Sequence, residues 1–431
     1  MNSAKIFLLV VLFLCFSVHP AKAEEVLTWQ DCLVEARKNH PDLISAQENI
    51  NQQKAGKAIT ASALYPQINS NLDASTKKTS TSGGTTDSAR STTTDSYAYG
   101  VTGTQLLFDG TKTINNVNAA RENIKGAQQN YRFTSSTVRL NLRSAFINLL
   151  KAQELIRVAE DIAKIRRDNL ELITLRYQSG LEHRGALLTA EANLAEAVFE
   201  LSQAKRDVVL AQRQLTKEMG RKEFKAMSVK GEFTVSDTAK EKPDVEALAI
   251  NNPSFLERVA SKNAASFGIK SAFANFSPQL SGSAGANRSS EHWPPQNDQW
   301  NLGLSLTMPI FEGGLRLAQV SQAQAAYNQA EANERSTKDG IIVTLEQKWV
   351  TLQDALETVD VQLKSLNAAE ERSKIAEAQY STGFISFDNW IIIENDLVSA
   401  KKAYLNSQAN ALLAEANWIQ AKGETLEYAQ N

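Results

Sequence analysis

Two periodicities alternate along the chain. Ile68, Ser70, Leu72 and Ala74 alternate with Asn69, Asn71 and Asp73, and Leu302, Leu304, Leu306 and Met308 alternate with Gly303, Ser305 and Thr307. A period of two sends successive side chains to opposite faces of a strand. The pattern predicts strands over residues 67–75, 98–108, 279–287 and 300–309. Each has about ten residues, enough to span a bilayer when tilted. Soluble hairpins share this alternation, so the strands alone leave both readings open.

Between the strand pairs the period lengthens. Residues 111–178 hold no proline, and apolar positions recur at Val117, Ala120, Ile124, Ala127, Tyr131 and Thr134. After a shift near Val138 and Leu142 the seam resumes at Ala145, Leu149, Ala152, Ile156, Ala159 and Ala163. A heptad seam with one four-residue insertion predicts a coiled-coil helix with a local unwinding, about 100 Å long at 1.5 Å per residue. Residues 314–381 repeat the same length. Alanine at many seam positions lets neighbouring helices approach closely.

The chain is internally duplicated. Asn39-His40-Pro41 matches Asn251-Asn252-Pro253, and Tyr65-Pro66-Gln67 matches Ser277-Pro278-Gln279. Further on, an offset of about 203 residues aligns Phe108-Asp109-Gly110 with Phe311-Glu312-Gly313, Tyr177 with Tyr380, Gly180 with Gly383 and Gly220 with Gly423. Copy one spans 24–240 and copy two 241–431, each with a starting helix, two strands, a long helix and a shorter return helix at 186–219 or 388–420. Gly180 and Gly383 end the long helices as left-handed C-terminal glycines do, so each Tyr-x-x-Gly marks the tip of a helical hairpin. Residues 220–240 form a polar, irregular segment that suits a collar, and copy two ends in a short tail.

Composition narrows the class. A formal net charge of -2 with interleaved signs offers no basic face for nucleic acid. Residues 1–23 carry Lys5, an apolar run from Ile6 to Val18 and Ala21-Lys22-Ala23, the marks of a signal peptide. Cys32 is then the one cysteine left, so no intrachain disulfide is expected. No later stretch holds 18 consecutive apolar residues, so a membrane would be crossed by strands. Four strands cannot close a barrel, for which about eight are the minimum. Two chains would supply eight and three chains twelve, the latter with room for a water-filled lumen. A trimer would continue a twelve-stranded barrel as a twelve-helix tunnel.

The duplicated N-x-P helix start, the Y/S-P-Q approach to the first strand, the F-[DE]-G exit into a long helix and the Y-x-x-G tips resemble the TolC-like outer membrane efflux family over essentially the whole mature chain. That resemblance implies a mainly α, duplicated protomer, a homotrimeric twelve-stranded β-barrel in outer membrane lipid and a twelve-helix periplasmic α-barrel. It also implies a periplasmic adaptor and an inner-membrane pump of the RND or ABC type. By position, Tyr177, Gly180, Leu181, Tyr380, Gly383 and Phe384 would constrict the periplasmic mouth and dock the adaptor. The family's acidic ring would fall at Asn389 and Ile392, and the carboxylate that partners the second-tip tyrosine at Ala186, where this chain has none. Asp388 lies near, and Phe387, Trp390 and Ile391 are apolar candidates to seal the mouth instead.

No catalytic or phosphate-cradling constellation is present, and the sequence predicts neither an enzyme nor a cofactor. His40, His183 and His292 lack second ligands at metal spacing and read as surface residues. Asn141, Arg143, Asn148 and Gln153 are candidate lumen-facing polar positions, and Tyr97, Tyr99, Trp293 and Trp300 suit a membrane-interface girdle. The expected function is an outer membrane exit channel for efflux or type I secretion. The competing reading is a fibrous or adhesive coiled-coil envelope protein, which would have no use for membrane-length strands.

Overall fold

A computed structural model describes residues 25–81, 90–235 and 243–427; the predicted signal segment, residues 82–89 of the loop after the first strand, the end of the predicted 220–240 segment and the last four residues of the tail lie outside them. In chain order the elements are β1 (Glu25–Leu27), α1 (Trp29–Asn39), α2 (Pro41–Ser62), β2 (Gln67–Thr81), β3 (Arg90–Phe108), α3 (Lys112–Gln178), α4 (Arg184–Glu218) and β4 (Met227–Val229). Copy two supplies α5 (Val245–Asn251), α6 (Pro253–Ala274), β5 (Gln279–Ser290), β6 (Asn297–Thr307), α7 (Leu315–Ser381) and α8 (Phe387–Ala421). The long helices α3 and α7 have 67 residues each and α4 and α8 have 35 each, so the duplication is kept to the residue. No helix is long and apolar enough to cross a membrane among the described residues.

The chain divides into two compact units. The unit made of Ser45–Phe133 and Glu246–Val343 holds one four-stranded antiparallel sheet in the order β2-β3-β5-β6. Its register separates the two faces chemically. Trp300, Leu302, Leu304 and Leu306 pair with Ala286, Ala284, Gly282 and Leu280. Ala286 and Ala284 in turn pair with Val101 and Gly103, and Gly103 with Ile68. This face is apolar and exposed. The opposite face carries Asn69, Asn71, Thr102, Thr104, Ser281, Ser283, Asn301 and Ser305. β2 and β3 extend to Thr81 and Arg90, well beyond the predicted bounds, through a Ser/Thr-rich ladder. β6 ends at Thr307, so Met308 and Pro309 fall outside the strand.

The other unit gathers the described residues up to Ile44, Thr134–Val245 and Thr344 onward. Its core follows the predicted seam: Val138, Leu142, Ala145, Leu149, Ala152, Ala159 and Ala163 of α3 are all buried. In the segment after α4 most described residues are exposed, and a short stretch of it is anchored. Met227 and Val229 are buried, β4 pairs in parallel with β1, and the Gln153 amide brackets Val229 by donating to its carbonyl and accepting from its N–H. Arg143 lies over the Trp29 ring at 4.9 Å, a cation–π contact that covers an apolar surface. Gln153 and Arg143 therefore hold this small sheet and α1 in place, and only Asn141 and Asn148 of the four predicted lumen positions are exposed. Arg221 clamps Glu25 and Glu35 through Nε and both Nη atoms.

His40 is also corrected from surface to interior. It is buried, accepts the Asp42 N–H at Nδ1 and places Nε2 at 3.7 Å from Glu218, next to Gly220. A Cβ on Gly220 would lie 2.5 Å from the Asn39 carbonyl oxygen, and φ there is 73°, so glycine is required twice over.

Candidate functional site at the hairpin tips

The two tips share a backbone. At the first, the Gly180 N–H donates to the Tyr177 carbonyl at 3.0 Å and the Leu181 N–H to the Arg176 carbonyl at 2.8 Å. At the second, Gly383 donates to Tyr380 at 3.1 Å and Phe384 to Gln379 at 2.8 Å. Paired bonds of this kind around a positive-φ glycine close the open carbonyls of a helix end, and φ is 73° at Gly180 and 84° at Gly383. The return helices are capped in the same way by different residues. The Ala186 N–H donates to His183 Nδ1, and the Asn389 N–H donates to Ser386 Oγ. His183 is thus a capping group, and α4 starts two residues before the predicted Ala186.

Side chains distinguish the tips. Tyr380 is 1% exposed, stacked on Trp390 at 4.5 Å between centroids and 8° between planes, with Phe387 edge-on to both rings at 6.4 Å. Ile173, Ala186, Ala190 and Ala376 complete this cluster. Phe387 and Trp390 are consequently buried against Tyr380 within the chain, and Ile391 packs beside them. Phe384 is 82% exposed, Leu181 is exposed as well, and Asp388 lies exposed in the first turn of α8, where a negative charge suits the helix dipole.

The acid that copy one lacks at Ala186 arrives from elsewhere. The Tyr380 hydroxyl donates to Glu182 Oε2 at 2.7 Å, the Arg176 guanidinium lies over the Tyr380 ring at 4.7 Å, and Arg176 Nη1 donates to the Ser381 carbonyl at 3.3 Å. Burial, reinforced by the Glu182 carboxylate, pushes the Tyr380 phenol well above its usual pKa. Ala186 itself packs against the aromatic cluster. Glu394, the other nearby acid, is buried and accepts the Ser373 hydroxyl, so it presents no ring of charge. Sequence reasoning missed Glu182 and Arg176. The signal available was their position, one in the tip turn and one in the last turn of α3.

Comparison with known proteins agrees with this frame. The sequence model of the family described as outer membrane efflux protein matches residues 32–221 and 245–424, one match for each copy. The outer membrane efflux protein BepC of Brucella suis biovar 1 is 24% identical over 415 residues, covering 94% of this chain and 86% of that protein. The CmeC outer membrane channel of Campylobacter jejuni superimposes with a TM-score of 0.74 at 18% identity, covering 93% of this chain and 88% of that one. The open state of the Neisseria gonorrhoeae MtrE outer membrane channel gives a TM-score of 0.78 at 18% identity, covering 92% and 89%.

Proposed function

The chain belongs to the outer membrane efflux protein family, and on that premise we propose that it is the outer membrane exit channel of a tripartite efflux or type I secretion system. One observation carries the reading beyond family membership: the four-stranded sheet has one apolar and one polar face and two unpaired edges, β2 and β6. Open edges in lipid cost several kcal/mol for each unmet backbone group. Three copies joined edge to edge would close twelve strands around a polar lumen, with Trp300, Leu302 and Ile68 towards lipid.

In this reading the homotrimer stands in the outer membrane and its helices reach through the periplasm. Exposed Leu181 and Phe384 meet a periplasmic adaptor, and an inner-membrane pump of the RND or ABC type selects the substrate. Tyr177, Gly180, Tyr380, Gly383, Phe387, Asp388 and Trp390 shape the mouth. The Tyr380–Glu182 bond and the aromatic stack hold the second hairpin on the first, and parting them widens the passage.

Light scattering of the detergent-purified protein should give a trimer, and planar bilayers should show discrete conductance. A cysteine at Ser88, outside the described residues, should react with an impermeant thiol reagent on whole cells, while one at Ser179 should not. Native Cys32 is buried, with its thiol pushed up to about 12 by that burial, so it stays silent in the assay. A folded monomer, or reversed labelling, overturns the proposal.

A further inference from the structure

The sheet contains two kinds of joint, and the duplication relates them. Within copy one Gln67 of β2 faces Thr104 of β3, and within copy two Gln279 of β5 faces Thr307 of β6. Gln67 corresponds to Gln279 through the Pro-Gln strand entry, and Thr104 to Thr307 through the F-[DE]-G exit. The two copies therefore share their register to the residue. The second kind of joint links the copies: β3 pairs with β5, setting Thr104 opposite Ser283, Gly103 opposite Ala284, Thr102 opposite Gly285 and Val101 opposite Ala286. β6 is the counterpart of β3, and β2 the counterpart of β5. These two strands are the ends of the sheet.

The same correspondence carries the β3–β5 register to β6 and the β2 of a second chain. Thr307 then falls opposite the partner's Asn71, Leu306 opposite the partner's Leu72, Ser305 opposite the partner's Asp73 and Leu304 opposite the partner's Ala74. Both faces of the sheet stay continuous, apolar against apolar and polar against polar. A slip of one residue would set Leu306 against a polar side chain. The turn beyond β3 follows the same relation. A Cβ on Gly110 would collide with the Ser277 side chain, and Phe108, opposite Leu280, is 47% exposed. In the matching turn of copy two, a Cβ on Gly313 would meet nothing within 4 Å among the described residues, and Phe311 is 88% exposed. Ser277 and Leu280 correspond to Tyr65 and Ile68 at the other end of the sheet, and both of these are exposed.

We propose that a second copy of this chain covers β6 in the register of the internal joint, with Thr307 opposite the partner's Asn71 and the Phe311 turn seated on the partner's Tyr65 and Ile68. The joint between copies is thus the template for the seam between chains. The inference rests on the channel reading, which asks for closure by several chains and sets no register.

The test is disulfide cross-linking of the full-length protein in detergent, in a Cys32→Ser background, with light scattering alongside. Asn71→Cys with Thr307→Cys, and Asp73→Cys with Ser305→Cys, place thiols directly opposite at about 5 Å between Cα atoms, within reach of a disulfide. Asp73→Cys with Thr307→Cys keeps the same face but shifts the pair to roughly 7–8 Å. Mild oxidation should join the in-register pairs into covalent trimers on a non-reducing gel, about tenfold faster than the shifted pair. All four positions are exposed on the polar face, and either in-register pair decides the matter if the other fails to fold. A folded trimer in which the shifted pair links as fast, or in which no pair links, overturns the register and leaves the channel reading standing. A folded monomer overturns both.

Discussion

Tyr177 and Tyr380 occupy the same place in the duplicated frame, with the same backbone bonds and the same glycine three residues on, yet the first is 38% exposed and the second 1%. The difference lies in the residues just past each tip. Copy two continues through Phe384, Phe387 and Trp390, where copy one has Leu181, Arg184 and Leu187 at the matching offset. Large rings in the first turn of α8 give Tyr380 a surface to stack on, and the acid of the first tip gives its hydroxyl an acceptor. Duplication thus fixes the turn, and divergence of a few side chains makes one hairpin the ligand of the other. A symmetric pair of tips would hold nothing; the asymmetric pair forms a latch within a single chain.

Truncation should separate the tips most sharply. Trp390→Ala removes a fully buried ring and should cost about 3–5 kcal/mol, read as a large drop in thermal stability and faster exchange in α8. Leu187→Ala at the matching position, half-buried, should cost clearly less. Equal losses would mean that the second tip is not the anchor.

The hydroxyl comes next. Tyr380→Phe leaves the Glu182 carboxylate without its donor and should cost about 1–3 kcal/mol, whereas Tyr177→Phe should stay within about 0.5 kcal/mol. A double-mutant cycle of Tyr380→Phe with Glu182→Ala should show a coupling of about 0.5–3 kcal/mol. Zero coupling would mean that the bond contributes nothing to the fold.

Smaller still is the effect of the caps. Ser386→Ala should cost about 0.5–2 kcal/mol, and His183→Ala should destabilise the other tip in the same direction. Here the comparison predicts likeness, because the backbone is shared. A pH experiment sharpens the contrast without mutation. Tyr380 has a folded pKa above its unfolded value, so its contribution is fully present below the unfolded pKa of about 10 and is lost as pH rises through the folded one. In an absorbance titration of tyrosinate, a component ionising well above the usual tyrosine range should vanish in Tyr380→Phe and persist in Tyr177→Phe.

Much of the scaffold is legible in the sequence because it is periodic. The strand faces follow from alternation at Ile68–Ala74 and Leu302–Thr307, the buried seam from the heptads of α3, and the tips from Gly180 and Gly383. Contacts without a period are not legible. The Tyr380–Glu182 bond joins residues 198 positions apart, and nothing local at Glu182 distinguishes it from a surface acid. The three-residue strand Met227–Val229 is too short to show alternation. Arg143 and Gln153 resemble solvated polar positions until Trp29 and Val229 stand beside them. Phe387 and Trp390 are recognisable as an apolar group, but only packing shows that they close on Tyr380.

Whether the second-tip latch keeps the mouth closed is measured directly by single-channel conductance in planar bilayers. Wild-type trimers should show a small conductance, Tyr380→Phe combined with Trp390→Ala a conductance several-fold larger, and Tyr177→Phe the wild-type value. A double variant that remains a folded trimer and conducts no more than wild type would contradict the latch.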